Sequence, residues 1–120
     1  VPFLQTTDLA DALVLMQESD AYFAYPVTDY VHPIQRAMRR LSTGKMEFFQ
    51  SEHELTRTQD FEESYHDTGQ FYWGKASAWK SNMKMHTAGV GLVIPNWRVV
   101  DIDNPEDWRR AEILYEVLNQ

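Results

Sequence analysis

The stretch Asp101-Ile102-Asp103-Asn104-Pro105-Glu106-Asp107-Trp108 places two carboxylates with a single residue between them, immediately before chemistry that starts a helix. Such a pair is a hard oxygen donor set. It suits Mg²⁺, which takes one or two carboxylates and fills its remaining positions with water and phosphate oxygens. The same acidic residues also suit a helix entrance: Asn104 or Asp103 can cap the first turn, Pro105 fits its first position, and Glu106 and Asp107 complement the positive dipole end. Val99 and Val100 ahead of them read as the end of a hydrophobic strand. On this stretch alone, metal binding and capping both remain open.

A second block, Tyr65-His66-Asp67-Thr68-Gly69-Gln70-Phe71-Tyr72-Trp73-Gly74, interleaves hydrogen-bonding groups with aromatics around two glycines. That mixture can hold a sugar. Gly69 permits close backbone approach, Gln70 both donates and accepts, His66 can donate to a carboxylate, and Tyr72 offers a flat face with a polar tip. The competing assignment places Phe71 and Trp73 in the core, Tyr72 against a neighbour and His66 in a turn.

Other chemistries lack their residues. His32, His53, His66 and His86 have no metal-ligand spacing, there is no His-Glu-x-x-His motif, and the chain has no cysteine, so neither a zinc site nor a disulfide framework is expected. No Gly-x-Ser-x-Gly element marks a serine nucleophile. The five glycines form neither a Walker loop nor a dinucleotide fingerprint. If the two aspartates serve a nucleotide-bound metal, another segment must supply the phosphate cradle.

The elements that must position these residues can be read from periodicity. Thr6 or Thr7 begins a helix to about Gln17, with Leu9, Leu13 and Met16 on one face and Asp8 and Asp11 near its positive end. Ala21 to Val27 reads as an aromatic strand that Pro26 limits. Ile34 to Leu41 fits either a helix or an alternating strand, and Ser42-Thr43-Gly44-Lys45 followed by Met46 to Phe49 favours a hairpin. Residues 50 to 64 are polar and loop-like. Thr68 to Trp73 is expected as a strand and Lys75 to Trp79 as a short helix, followed by a loop from Ser81 to Gly89. Gly91 to Pro95 and Trp97 to Val100 have strand character, and the last helix carries Trp108, Ala111, Leu114, Tyr115 and Leu118. Alternating helices and strands make the fold class α/β with an inserted β-hairpin.

At 120 residues, one small domain with a real core is expected. The formal charge of −7 argues against broad nucleic-acid binding, and no run is long and apolar enough for a membrane span. A cytoplasmic location is the expectation. Arg36, Arg39, Arg40 and Lys45 form a local basic cluster whose simplest reading is a solvated face. The opening Val1-Pro2-Phe3-Leu4-Gln5, close to a helix start, reads as though an upstream element had just ended.

Taken together, Pro33-Ile34-Gln35-Arg36-Ala37, Arg57-Thr58-Gln59-Asp60, Tyr65 to Lys75 and Asp101 to Trp108 resemble the acylneuraminate cytidylyltransferase family, nearest its pseudaminic acid branch. The Arg-x-Gln-Asp and Asp-Ile-Asp elements are general to that family. The Tyr65 to Lys75 block is the specific one. The resemblance implies the C-terminal half of a Rossmann-like nucleotide-diphospho-sugar transferase fold, transfer of CMP from CTP to a nonulosonic acid, and release of pyrophosphate with Mg²⁺. It implies Asp101 and Asp103 as metal ligands and catalytic residues, and Tyr72, His66, Gln70, Arg57 and Gln35 as sugar contacts. Relatives form homodimers through an extended hairpin region, here about 33 to 65. The family's Gly- and basic-rich triphosphate loop has no counterpart, which implies that this polypeptide alone does not turn over CTP. The alternatives are a non-catalytic dimerisation or sugar-binding module of the same fold, and a metal-dependent glycosyltransferase, for which the Tyr65 to Lys75 block gives no support.

Overall fold

The computed structural model describes residues 2–119. Its first helix, α1 (Thr6–Ser19), follows Gln5 and ends at Asp20, which adopts the left-handed conformation at φ 55°. The face it buries is not simply the apolar one expected: Asp8, Ala12 and Met16 are buried, while Leu9 and Leu13 are half-buried. Asp8 is buried because Arg98 meets it at 2.8 Å. An acidic residue that suited the helix dipole is therefore also one half of an internal ion pair.

Strand β1 (Phe23–Asp29) lies at the centre of the larger sheet and runs straight through Pro26. Successive strand residues direct their bonding groups to opposite edges. The Val27 carbonyl accepts from Ile94 N–H on one edge, so Pro26 faces the other, where its carbonyl accepts from Thr68. The proline thus removes no donor from the β1 pairing with the later strand β6 (Gly89–Val93), which is parallel, with Phe23 opposite Gly89 and Val27 opposite Val93.

Between them the chain forms β2 (Met38–Arg40) and β3 (Met46–Phe48), paired antiparallel with Arg39 opposite Glu47. The ambiguous 34–41 stretch is a 3-10 turn over Ile34–Arg36 followed by β2, so the hairpin forms. Further 3-10 turns occupy Ser51–His53 and Thr58–Asp60.

The strand expected over Thr68 to Trp73 is broken. Strand β4 (Tyr65–Asp67) stops, residues 68–72 leave the ladder, and β5 (Trp73–Gly74) resumes antiparallel to β1, with Ala24 opposite Trp73. The cause is Gly69, whose φ of +74° turns the chain out of extended conformation. Gly74 is required for a different reason. A Cβ there would run into the Trp79 indole and would lie 2.7 Å from the Phe23 ring. Trp79 sits on α2 (Ala76–Lys80) and packs edge-on against fully buried Phe23.

Trp97 to Val100 is not a strand. Asn96–Arg98 is a 3-10 turn after Pro95, and the apolar character serves packing, with Val100 buried and Arg98 turned inward to Asp8. Two carboxylates therefore lie in irregular chain rather than at a strand end. The last helix, α3 (Pro105–Leu118), forms as expected, and Asn104 accepts from Asp107 N–H at 2.9 Å.

The fold is mixed α/β, with Ala12, Met16 and Ala24 at the core and Phe71, Trp73, Val90 and Leu92 packed around them. Trp73 is anchored by its indole N–H, which donates to the Leu9 carbonyl at 2.9 Å. Contacts divide the chain into two compact units: one runs to Thr28 and resumes at Asp67, and the other is Asp29–His66. Among the described residues, no helix is long and apolar enough to cross a membrane.

Candidate functional site

Asp67, at the end of β4, gathers one cluster. Its Oδ1 accepts the Gly69 N–H at 2.8 Å, an arrangement that holds the turn through which Gly69 leads the chain out of the sheet. Its Oδ2 accepts the Tyr72 hydroxyl at 2.8 Å and lies 2.8 Å from Nε2 of His86. Tyr25 of β1 supports this group. Its hydroxyl donates to the His86 carbonyl at 2.8 Å, and its ring stands edge-on to His86 at 5.2 Å and tilted to Tyr72 at 6.1 Å.

Asp101 joins the cluster at Gly69. A Cβ on that glycine would lie 3.6 Å from the Asp101 carboxylate, so the backbone and the acid are close neighbours. Neither Asp101 nor Asp103 spends its carboxylate on the helix. Asn104 and Asp107 make the cap, and Asp103 contributes only its N–H, donated to Asp107 Oδ2 at 3.0 Å. Capping therefore does not account for the pair.

The electrostatics follow from these contacts. Burial alone would raise the Asp67 carboxyl, but hydrogen bonds from His86, the Gly69 amide and Tyr72 more than offset it, and its pKa falls below 3.8. Tyr72 is pushed up to about 12, first by burial and then by its bond to Asp67, with Asp101 adding repulsion. Tyr25 is raised by burial and by Asp67.

Two signs follow for stability. The depressed Asp67 carboxyl contributes stability above its unfolded value that is lost as pH falls through its folded one. The raised Tyr72 phenol contributes below pH 10.0, and this is lost as pH rises towards about 12. Asp67→Asn should bring Tyr72 ionisation down by removing that acceptor charge. The check is tyrosinate absorbance against a Tyr72→Phe reference, which isolates one phenol among the six tyrosines. An unchanged Tyr72 titration would contradict the contact.

The candidate residues divide between the units. Tyr72, Gln70 and Asp101 lie in the unit that holds the cluster, and Gln70 Oε1 is buried without a hydrogen-bond partner among the described residues. Gln35, Arg57 and His66 lie in the 29–66 unit. There Arg57 is exposed and bonds Asp60 at 3.0 Å, Gln35 Oε1 is buried and unpaired among the described residues, and the His66 ring tilts against Tyr30 at 4.9 Å. Sequence reasoning missed Asp67, His86 and Tyr25. Asp67 stood inside a motif already singled out; His86 carried no signal, because its partner is 19 residues away.

For a metal, the described residues offer no group of three or more His, Cys, Asp or Glu side chains placed to hold an ion. Asp101 and Asp103 offer oxygen donors only. Such a partial set suits a cation that takes its remaining ligands from phosphate and water.

No family model matches the chain. It is 33% identical over 119 residues to pseudaminic acid cytidylyltransferases from Campylobacter jejuni subsp. jejuni serotype O:23/36 and from serotype O:2. Each match covers 97% of this chain and 50% of the relative. The chain thus spans about half the length of the curated relatives it matches.

Proposed function

We propose that this chain is the sugar-receiving and metal-holding part of a cytidylyltransferase that activates a nonulosonic acid, pseudaminic or sialic, with CTP to give the CMP-sugar and pyrophosphate. The observation that carries this reading is the 33% identity maintained over 97% of the chain. The approach of the Asp101 carboxylate to Gly69 supports it, because this brings one acid of the pair beside the sugar-like block.

Each residue then has a role. Tyr72 offers its ring to the sugar while Asp67 fixes its hydroxyl, and Gln70 offers a buried acceptor. Arg57, Gln35 and His66 are the sugar-contact candidates of the Asp29–His66 unit taken by itself. Asp101 and Asp103 would hold Mg²⁺, which when bound supplies charge neutralisation at the transferring phosphate. The Asp29–His66 unit would pair with a second copy through its hairpin region, where Met38, Met46, Phe49 and Leu55 are exposed. The triphosphate grip would come from further polypeptide, since the five glycines of this chain form no phosphate loop. That same lack favours a second reading, a non-catalytic sugar-binding or dimerisation module of this fold.

Calorimetric titration of pseudaminic acid into the purified chain tests the sugar reading. The expected result is saturable binding that Tyr72→Ala weakens about tenfold, the loss of roughly one aromatic contact. Absence of saturable binding overturns it.

A further inference from the structure

His86 belongs to no motif and has no role in the reading above, yet it is among the most firmly held exposed side chains of the cluster. Nε2 lies 2.8 Å from Asp67 Oδ2, the ring stands against Tyr25 at 5.2 Å, and the backbone carbonyl accepts the Tyr25 hydroxyl. The side chain is nevertheless 60% exposed. Fixing an exposed ring costs rotamer freedom and gains little burial. Such an orientation makes sense for a group prepared to meet a ligand.

The chemistry of the ring says which ligand atom. An ionised carboxylate only accepts hydrogen bonds, so a neutral imidazole against Asp67 carries its proton on Nε2 and keeps Nδ1 as an acceptor. The Tyr72 hydroxyl donates to that same carboxylate oxygen, so one acid sets both neighbouring side chains. An Nδ1 lone pair beside Asp67 welcomes a hydroxyl and repels a carboxylate.

We propose that His86 contacts the sugar, accepting a hydrogen bond at Nδ1 from a hydroxyl of the polyhydroxylated acid that lies over Tyr72, and that Asp67 is the positioning residue that holds this acceptor in place. The proposal rests on the sugar-acid reading given above. It makes His86 a specificity-determining contact for a hydroxyl-bearing part of the ligand rather than for its carboxylate.

The test is nitrogen-resolved NMR of the uniformly nitrogen-labelled chain above neutral pH, which reports His86 ring nitrogens and the Tyr72 amide together, titrated with pseudaminic acid. The Nε2–H tautomer is expected at His86, with its Nδ1 signal moving as sugar is added. Asp67→Asn should give mixed tautomers and a reduced His86 response. His86→Ala should weaken binding about three- to tenfold, the loss of one neutral hydrogen bond, and His86→Asn, whose amide oxygen can stand near the Nδ1 position, should recover part of it. An Nδ1–H tautomer overturns the proposal. So does a titration in which sugar moves Tyr72 signals and leaves His86 unmoved, a result that preserves the sugar reading. No response at either residue overturns both.

Discussion

Replacing Asp8 with alanine should lower the unfolding free energy by about 3–5 kcal/mol, the cost of leaving a buried charge without its partner. Asp8 and Arg98 are 7% and 8% exposed, and their side chains meet at 2.8 Å across 90 residues of sequence. Screening by water is weak at that depth, and the Arg98 guanidinium, its side chain about nine-tenths buried, reaches little solvent once the carboxylate is gone. The pair also ties α1 to the turn that leads towards Asp101, so its loss loosens the approach to the site. A domain of this size has about 5–15 kcal/mol of stability in total, so the loss takes a large share of it. Urea unfolding followed by circular dichroism measures the loss. The double variant Asp8→Ala/Arg98→Met should recover much of it, because removing both charges leaves nothing unpaired. A single-variant loss below about 1 kcal/mol would place the pair in water despite its burial.

Asp101→Asn should leave stability nearly untouched and still cost at least about 10²-fold in turnover, measured in a polypeptide that joins this chain to the part of a Campylobacter relative it does not span. A bound cation at a phosphoryl centre contributes several kcal/mol, and an amide oxygen is a neutral, weaker donor than a carboxylate. The control is Asn104→Ala. Asn104 holds the first turn of α3 through Asp107, so its loss should cost about 1 kcal/mol of stability while turnover persists. Opposite responses at neighbouring positions would separate the two uses of this acidic stretch. If Asp101→Asn lowered thermal stability as Asn104→Ala does and spared turnover, the carboxylate would be structural.

Both helices at the chain's ends were legible because their signals are local. Asn104, Pro105 and Asp107 lie within one turn, and the spacing in α1 needs no distant partner. The hairpin at Met38 to Phe48 was legible for the same reason, with Gly44 at its turn. The break between β4 and β5 was written in Gly69, but the aromatic run Phe71-Tyr72-Trp73 masked it, since β propensity describes residue type and not whether the chain stays in register. Val99 and Val100 misled in the same way, being apolar for packing rather than pairing. Asp8 with Arg98, and Asp67 with His86, were invisible because tertiary folding alone brings them together. The residue types of the candidate site were therefore readable, while the acid that organises them was not singled out from its motif.

The most direct measurement is pyrophosphate release in the presence of CTP, Mg²⁺ and pseudaminic acid, from the 120-residue chain and from the joined polypeptide. No release is expected from the chain alone, and release from the joined polypeptide is expected to require both the sugar and Mg²⁺. Turnover by the chain alone, or a folded joined polypeptide that binds the sugar yet releases no pyrophosphate, would contradict it.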